Sequence, residues 1–97
     1  MNVGVCKVRL RLPENHSLKG KRQVLKSITS RVASKFNVSI AEVGDNDSWQ
    51  TTTLGICLVS NDNRYTNEVL SKIADFIIGG RFDLEVLDYN IEILSVL

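Results

Sequence analysis

Residues 17–36 read SLKGKRQVLKSITSRVASKF. At 100° per residue, Leu18, Leu25, Ile28, Val32 and Phe36 fall on one side of a helical wheel, the spacing of a helix laid on a core. Lys19, Lys21, Arg22, Lys26, Arg31 and Lys35 flank that stripe on both sides, while Gln23, Ser27, Ser30 and Ser34 line the far side. Between Glu14 and Glu42 there is no acid. One stretch thus defines the first helix and the most charged face of the chain.

Upstream, Val3 to Leu12 alternates with the period of a strand, with Gly4, Cys6, Val8, Leu10 and Leu12 on one face and Val3, Val5, Lys7, Arg9 and Arg11 on the other. Pro13 stops it, because proline lacks the donor a ladder needs, and Asn15 or Ser17 can cap the helix. Downstream, Asn37 offers a helix end. A second strand follows from Val38 to Gly44, with Val38, Ile40 and Glu42 opposed to Ser39, Ala41 and Val43. GDNDS at 44–48 is a dense turn signal and predicts a hairpin loop. The third strand runs from about Trp49 to Ser60, setting Leu54, Ile56 and Leu58 against Thr53, Gly55, Cys57 and Val59. A second helix, capped from Asn61 to Asn63, gathers Tyr65, Val69, Leu70, Ile73, Phe76 and Ile77 on one side and ends at Gly79 and Gly80, residues free to take positive φ. The last strand, Leu84 to Leu94, puts Leu87, Tyr89, Ile91 and Ile93 opposite Asp88, Asn90 and Glu92.

The order β α β β α β is that of a ferredoxin-like α+β sandwich in a single domain over residues 1–97. Right-handed crossovers give a four-stranded antiparallel sheet ordered 4-1-3-2 with both helices on one face. The other face is open, and on the first strand it carries Val3, Val5, Lys7, Arg9 and Arg11. An open face that begins apolar suits a homodimer contact.

The net charge of +1 conceals a division: residues 1–41 carry nine Lys or Arg and one acid, and residues 42–97 carry three against ten acids. Such asymmetry predicts a polyanionic partner for the first half, or pairing of the halves within or between chains. An apolar share of 43% and a charged share of 24% are ordinary globular values. Cys6 and Cys57 lie in apolar runs without the spacing of a metal or redox pair, and read as small buried residues in a reducing cytoplasm. No apolar run approaches the roughly 18 residues of a membrane span, so no membrane partner is expected.

The start of the first helix is the sharpest oddity. Lys19, Lys21 and Arg22 stand near the positive end of its dipole, where free backbone donors and cations together suit phosphate. The competing readings are a solvated face, with long side chains covering apolar neighbours, and an acidic protein partner. The third strand has no aromatic residue from Thr52 to Val59, so bases cannot stack on the sheet as they do on an RNA recognition motif. Catalysis finds little support: His16, the lone histidine, lies in a turn without a paired nucleophile, and Pro13 to His16 lacks the arginine of an acylphosphatase loop. Asp45 and Asp47 lack the glycine and distal glutamate of a calcium loop. Trp49 reads either as a plug at the end of the core or as an anchor for a partner.

Taken together, GVCKVRLRLP, SLKGKRQVLKSI, FNVSIAEVGDNDSWQTTTLGICLVS and the terminal strand resemble the YlxP-like family of small bacterial proteins of unknown function. The most specific marks are Ser17, Leu18, Lys19, Lys21 and Arg22, with Ala41, Glu42, Val43, Gly44, Asp47, Trp49 and Gln50. The resemblance implies a ferredoxin-like fold with no catalytic residue and no cofactor to carry over. Family genes stand in many bacteria beside those for translation initiation and ribosome maturation factors, which implies work near RNA. The expected activity is that of a non-enzymatic module docking on structured RNA or a ribosomal particle through Lys19, Lys21, Arg22, Lys26, Arg9 and Arg11. The alternatives are a homodimeric scaffold and a small-anion site at the helix start.

Overall fold

In the computed structural model, which describes residues 1–80 and 82–97, six elements follow the expected order: β1 (Asn2–Arg11), α1 (Leu18–Lys35), β2 (Ser39–Gly44), β3 (Thr51–Ser60), α2 (Asn63–Gly79) and β4 (Glu85–Ser95). The sheet runs β2-β3-β1-β4 with every neighbouring pair antiparallel. This is the 4-1-3-2 order read from the other edge.

Alternation decides which face each strand buries. On β1, Cys6, Val8 and Leu10 are buried while Val5, Lys7, Arg9 and Arg11 are exposed. On β3, Thr52, Leu54, Ile56 and Leu58 join the same core, which α1 completes with Leu25, Ile28 and Val32 and α2 with Leu70, Ile73 and Ile77. Each aliphatic side chain removed from water in this way contributes about 1.5–3 kcal/mol. α1 packs over β2, and α2 over β1, β3 and β4.

The caps come from side chains the sequence offered. Ser17 Oγ accepts the Gly20 amide at 3.0 Å, and Asp62 Oδ1 accepts the amides of Arg64 and Tyr65 at 2.9 and 3.3 Å. α1 turns extended at Phe36, one residue before Asn37. α2 ends at Gly79, but Gly80 keeps φ at −72°, so the exit is extended and uses no left-handed turn.

Three local expectations need correction. β3 begins at Thr51, because Trp49 and Gln50 belong to the loop from β2. β4 does not alternate strictly: a bulge shifts the register between the Arg9–Asp88 and Leu10–Val86 pairs, with Leu87 the extra residue. The shift sends Val86 to the core beside Leu10 and leaves Leu87 44% exposed. Without it Arg11 would face Val86; with it Arg11 faces Glu85. Finally, Cys6 is buried but Cys57, on the uncovered side of β3, is exposed.

Candidate binding surface

The cations of the first half do not form one open flank. Lys21 lies on α1 between Leu18 and Leu25, inside the apolar stripe, and is 1% exposed. Burying an ammonium is costly unless every proton finds an acceptor. Here its Nζ meets Glu42 Oε2 at 2.8 Å and donates to the carbonyls of Asp45 and of Ser48, the latter at 2.7 Å. Glu42 in turn accepts from Thr52 Oγ1 at 2.6 Å and from Asn46 Nδ2 at 3.4 Å. Lys21 is therefore a clamp on the β2–β3 loop, closed to a partner, and its expected role in binding phosphate is corrected.

Further contacts tie that loop to the one between β1 and α1. Asn15 Nδ2 donates to the carbonyls of Ser17 and Trp49, Gln50 Nε2 reaches those of Pro13 and Asn15, and the Leu12 amide donates to Gln50 O. Asp45 takes the left-handed conformation that starts the turn, at φ 60°. Ser17, Lys21, Glu42, Trp49 and Gln50, scattered marks of the family resemblance, thus meet around one junction.

Arg9 and Arg11 are also committed within the chain. Arg9 pairs with Asp88 at 3.5 Å and Arg11 with Glu85 at 3.4 Å, all four side chains about half exposed. They line the open sheet face, remote from the outer side of α1 as alternation requires. Arg31 lies over the Phe82 ring at 5.2 Å and Lys35 over Phe76 at 4.9 Å, on the seam of the two helices.

What remains on α1 is Lys19, Arg22 and Lys26, all exposed and, among the described residues, without an ion pair. Spaced i, i+3, i+7, they make one stripe along a flank of the helix, beside its apolar side. Trp49, 56% exposed, does not plug the core; its backbone is held beside the start of α1 by Asn15. The indole is thus presented to solvent from a fixed loop.

Sequence reasoning missed the clamp, yet its signal was present. Lys21 shares the helical phase of Leu25 and Ile28, and Glu42 the strand phase of Ile40. A cation and an anion each placed at a core position on different elements predict each other, because neither is stable there alone.

The open face grades from apolar to charged. Register places Val59, Val3 and Leu94 in one row, then Cys57, Val5 and Glu92, then Gly55, Lys7 and Asn90, then Thr53, Arg9 and Asp88, then Thr51, Arg11 and Glu85. Between β1 and β4 a hollow of about 350 Å³ is lined by Val5, Lys7, Asn90, Ile91 and Glu92. No helix of the described residues is long and apolar enough to cross a membrane.

Residues 3–91 match the model of a family described as a protein of unknown function (DUF503). The chain is 51% identical over 61 residues to the uncharacterized protein YlxP of Bacillus subtilis (strain 168), a match covering 63% of this chain and 66% of that one, just under two thirds of its length. Among solved structures it is similar to the de novo designed protein Foldit4, with a TM-score of 0.55 and 14% identity over the whole of both chains. It is also similar to a dimeric ferredoxin-like protein from an uncultured marine organism, with a TM-score of 0.50 and 12% identity over 98% of this chain and 96% of that one. Those two likenesses speak to the fold.

Proposed function

We propose, from the premise that this chain belongs to the DUF503 family of proteins of unknown function, that it is a cytoplasmic, non-enzymatic docking module for structured RNA, such as that of a ribosomal particle. The observation that carries this is the stripe Lys19, Arg22 and Lys26, the exposed cations of α1 that no carboxylate or ring of the described residues engages. Such a stripe reads backbone phosphate and shape more than sequence. Trp49, beside it and exposed, offers a face on which an unstacked base can lie. Arg9, Arg11 and Lys21 take no part in this reading.

Three phosphate contacts imply that affinity for a structured RNA falls about 40-fold between 50 and 200 mM salt. Fluorescence anisotropy with a labelled ribosomal RNA fragment tests this. Reversal of Lys19, Arg22 and Lys26 to Glu should abolish binding, and Trp49→Ala should weaken it about tenfold. Absence of binding by the parent protein at 50 mM salt, or a triple reversal that binds unchanged, overturns the reading.

A second reading, a homodimer through the open sheet face, is favoured by the exposed apolar row of Val59 and Leu94 with Val3 between them. The ferredoxin-like protein of the marine organism is itself dimeric. The two readings are compatible, because the stripe on α1 and the open face lie on opposite sides of the sheet.

A further inference from the structure

We infer that a second copy of this chain docks on the open face with its two-fold axis parallel to the strands and between β1 and β4, so that the β1 column of each copy covers the β4 column of the other. The inference rests on the homodimer reading and adds the orientation and the residues.

The open face is laid out in columns as well as rows. β1 presents Lys7, Arg9 and Arg11; β4 presents Glu92, Asp88 and Glu85, with Asn90 opposite Lys7. A two-fold contact must be self-complementary, since each patch meets its own copy. An axis parallel to the strands keeps every row at its own level and exchanges the columns. Val3 then lies on Leu94 of the partner subunit, so the apolar ends of these two columns coincide, while Val59 on β3 lies outside the overlap. Arg9 lies on Asp88 of the partner subunit, and Arg11 on Glu85 of the partner subunit. An axis across the strands would instead reverse the rows and set Arg11 against the apolar end, desolvating a charge without a counter-ion.

In the chosen orientation the Arg9–Asp88 pair and its copy form a square of alternating charge, each group with two opposite neighbours and a like group only on the diagonal. The Arg11–Glu85 row does the same. Lys7 and Glu92 supply a second, independent argument. They share the open face one row apart and, among the described residues, neither has an ion pair. Both line the hollow between β1 and β4, where the proposed axis passes. Exchange of columns brings Lys7 of one copy above the β4 column of the other, one row from Glu92, and the hollow gives the side chains room to meet.

Two strands of about ten residues, at roughly 3.4 Å per residue and 4.8 Å between strands, give a projected overlap of roughly 300 Å² per copy, well below the ~800 Å² of a standard stable interface. The dimer is accordingly weak, exchanging, and seen at high protein concentration.

Sedimentation equilibrium from 10 µM to 0.5 mM tests this on the full chain. The parent protein should show a monomer–dimer equilibrium. In these two rows Arg9→Glu with Arg11→Glu makes both columns acidic, and Asp88→Lys with Glu85→Lys makes both basic. Each variant alone should lose at least tenfold in self-association, and an equal mixture should recover it as a heterodimer. Since all four positions are half exposed, both variants should remain folded; should either fail to fold, Lys7→Glu mixed with Glu92→Lys repeats the test within the hollow. A parent protein that stays monomeric at 0.5 mM overturns the dimer and the orientation together. A parent dimer with variants that associate as before, or a mixture that does not recover dimer, overturns the orientation and leaves the dimer standing.

Discussion

Lys21 occupies a position where a leucine would satisfy the helix, and its three protons are matched by one carboxylate oxygen and two loop carbonyls. Removing one partner strands the other: Lys21→Met or Glu42→Leu alone should cost about 3 kcal/mol in urea unfolding. The double replacement should cost less than the sum, since neither charge is then orphaned, and a double-mutant cycle measures the difference. Cys6, fully buried on β1, shows the complementary effect. Burial pushes its thiol up from 9.0 to about 11 because the thiolate would lose its hydration. A folded-state value above the unfolded one gives stability that is complete below pH 9 and is lost as pH rises toward 11. Unfolding free energy should therefore fall by about 2 kcal/mol across that window, a slope that Cys6→Ala removes.

Elements meet at positions where a side chain would not fit. Gly4 on β1 lies beneath α2, and a Cβ there would run into the Thr66 methyl and touch Leu70. Thr66 cannot simply rotate, since its hydroxyl bonds Ser60 Oγ. Gly55, on the open side of β3, faces the Val43 side chain, which is 61% exposed and free to swing away. Gly4→Ala should thus lower the urea midpoint by the equivalent of about 2 kcal/mol, the usual cost of overpacking, whereas Gly55→Ala should be close to neutral. The elements themselves were legible, since the apolar period of 3.6 marks both helices and the period of 2 marks the first three strands. β4 was legible only in part, because the bulge at Leu87 changes its phase midway. A bulge follows from what the neighbouring strand places opposite, and no local spacing announces it.

At the scale of the whole molecule the sheet has a protected centre and two open edges. β1 and β3 are paired on both sides, while β2 and β4 each leave one edge free. Amide exchange should therefore be slowest at Cys6, Val8, Leu54 and Ile56. It should be faster by at least tenfold at outward-facing amides of β2 and β4, as mass-resolved or NMR exchange would show. The charge map belongs to this scale as well. Of the nine early cations, Arg9, Arg11 and Lys21 are engaged by acids of the second half, so part of the division between the halves is settled inside the chain. The stripe on α1 and Lys7 on the open face are, among the described residues, exposed cations left without an ion pair.

The sequence by itself determined the six elements, their order and topology, and the faces of β1, β2 and β3, because burial at a given period is a local property that neighbours three, four or two residues apart reveal. It also carried the clue to the clamp, with Lys21 and Glu42 both in phase with the core. Only the tertiary structure decided the fate of each charge. Arg9 meets Asp88 and Lys21 meets Glu42 across the fold, and the field at an ionic group is set by whatever folding brings within a few ångströms, however far along the chain it lies.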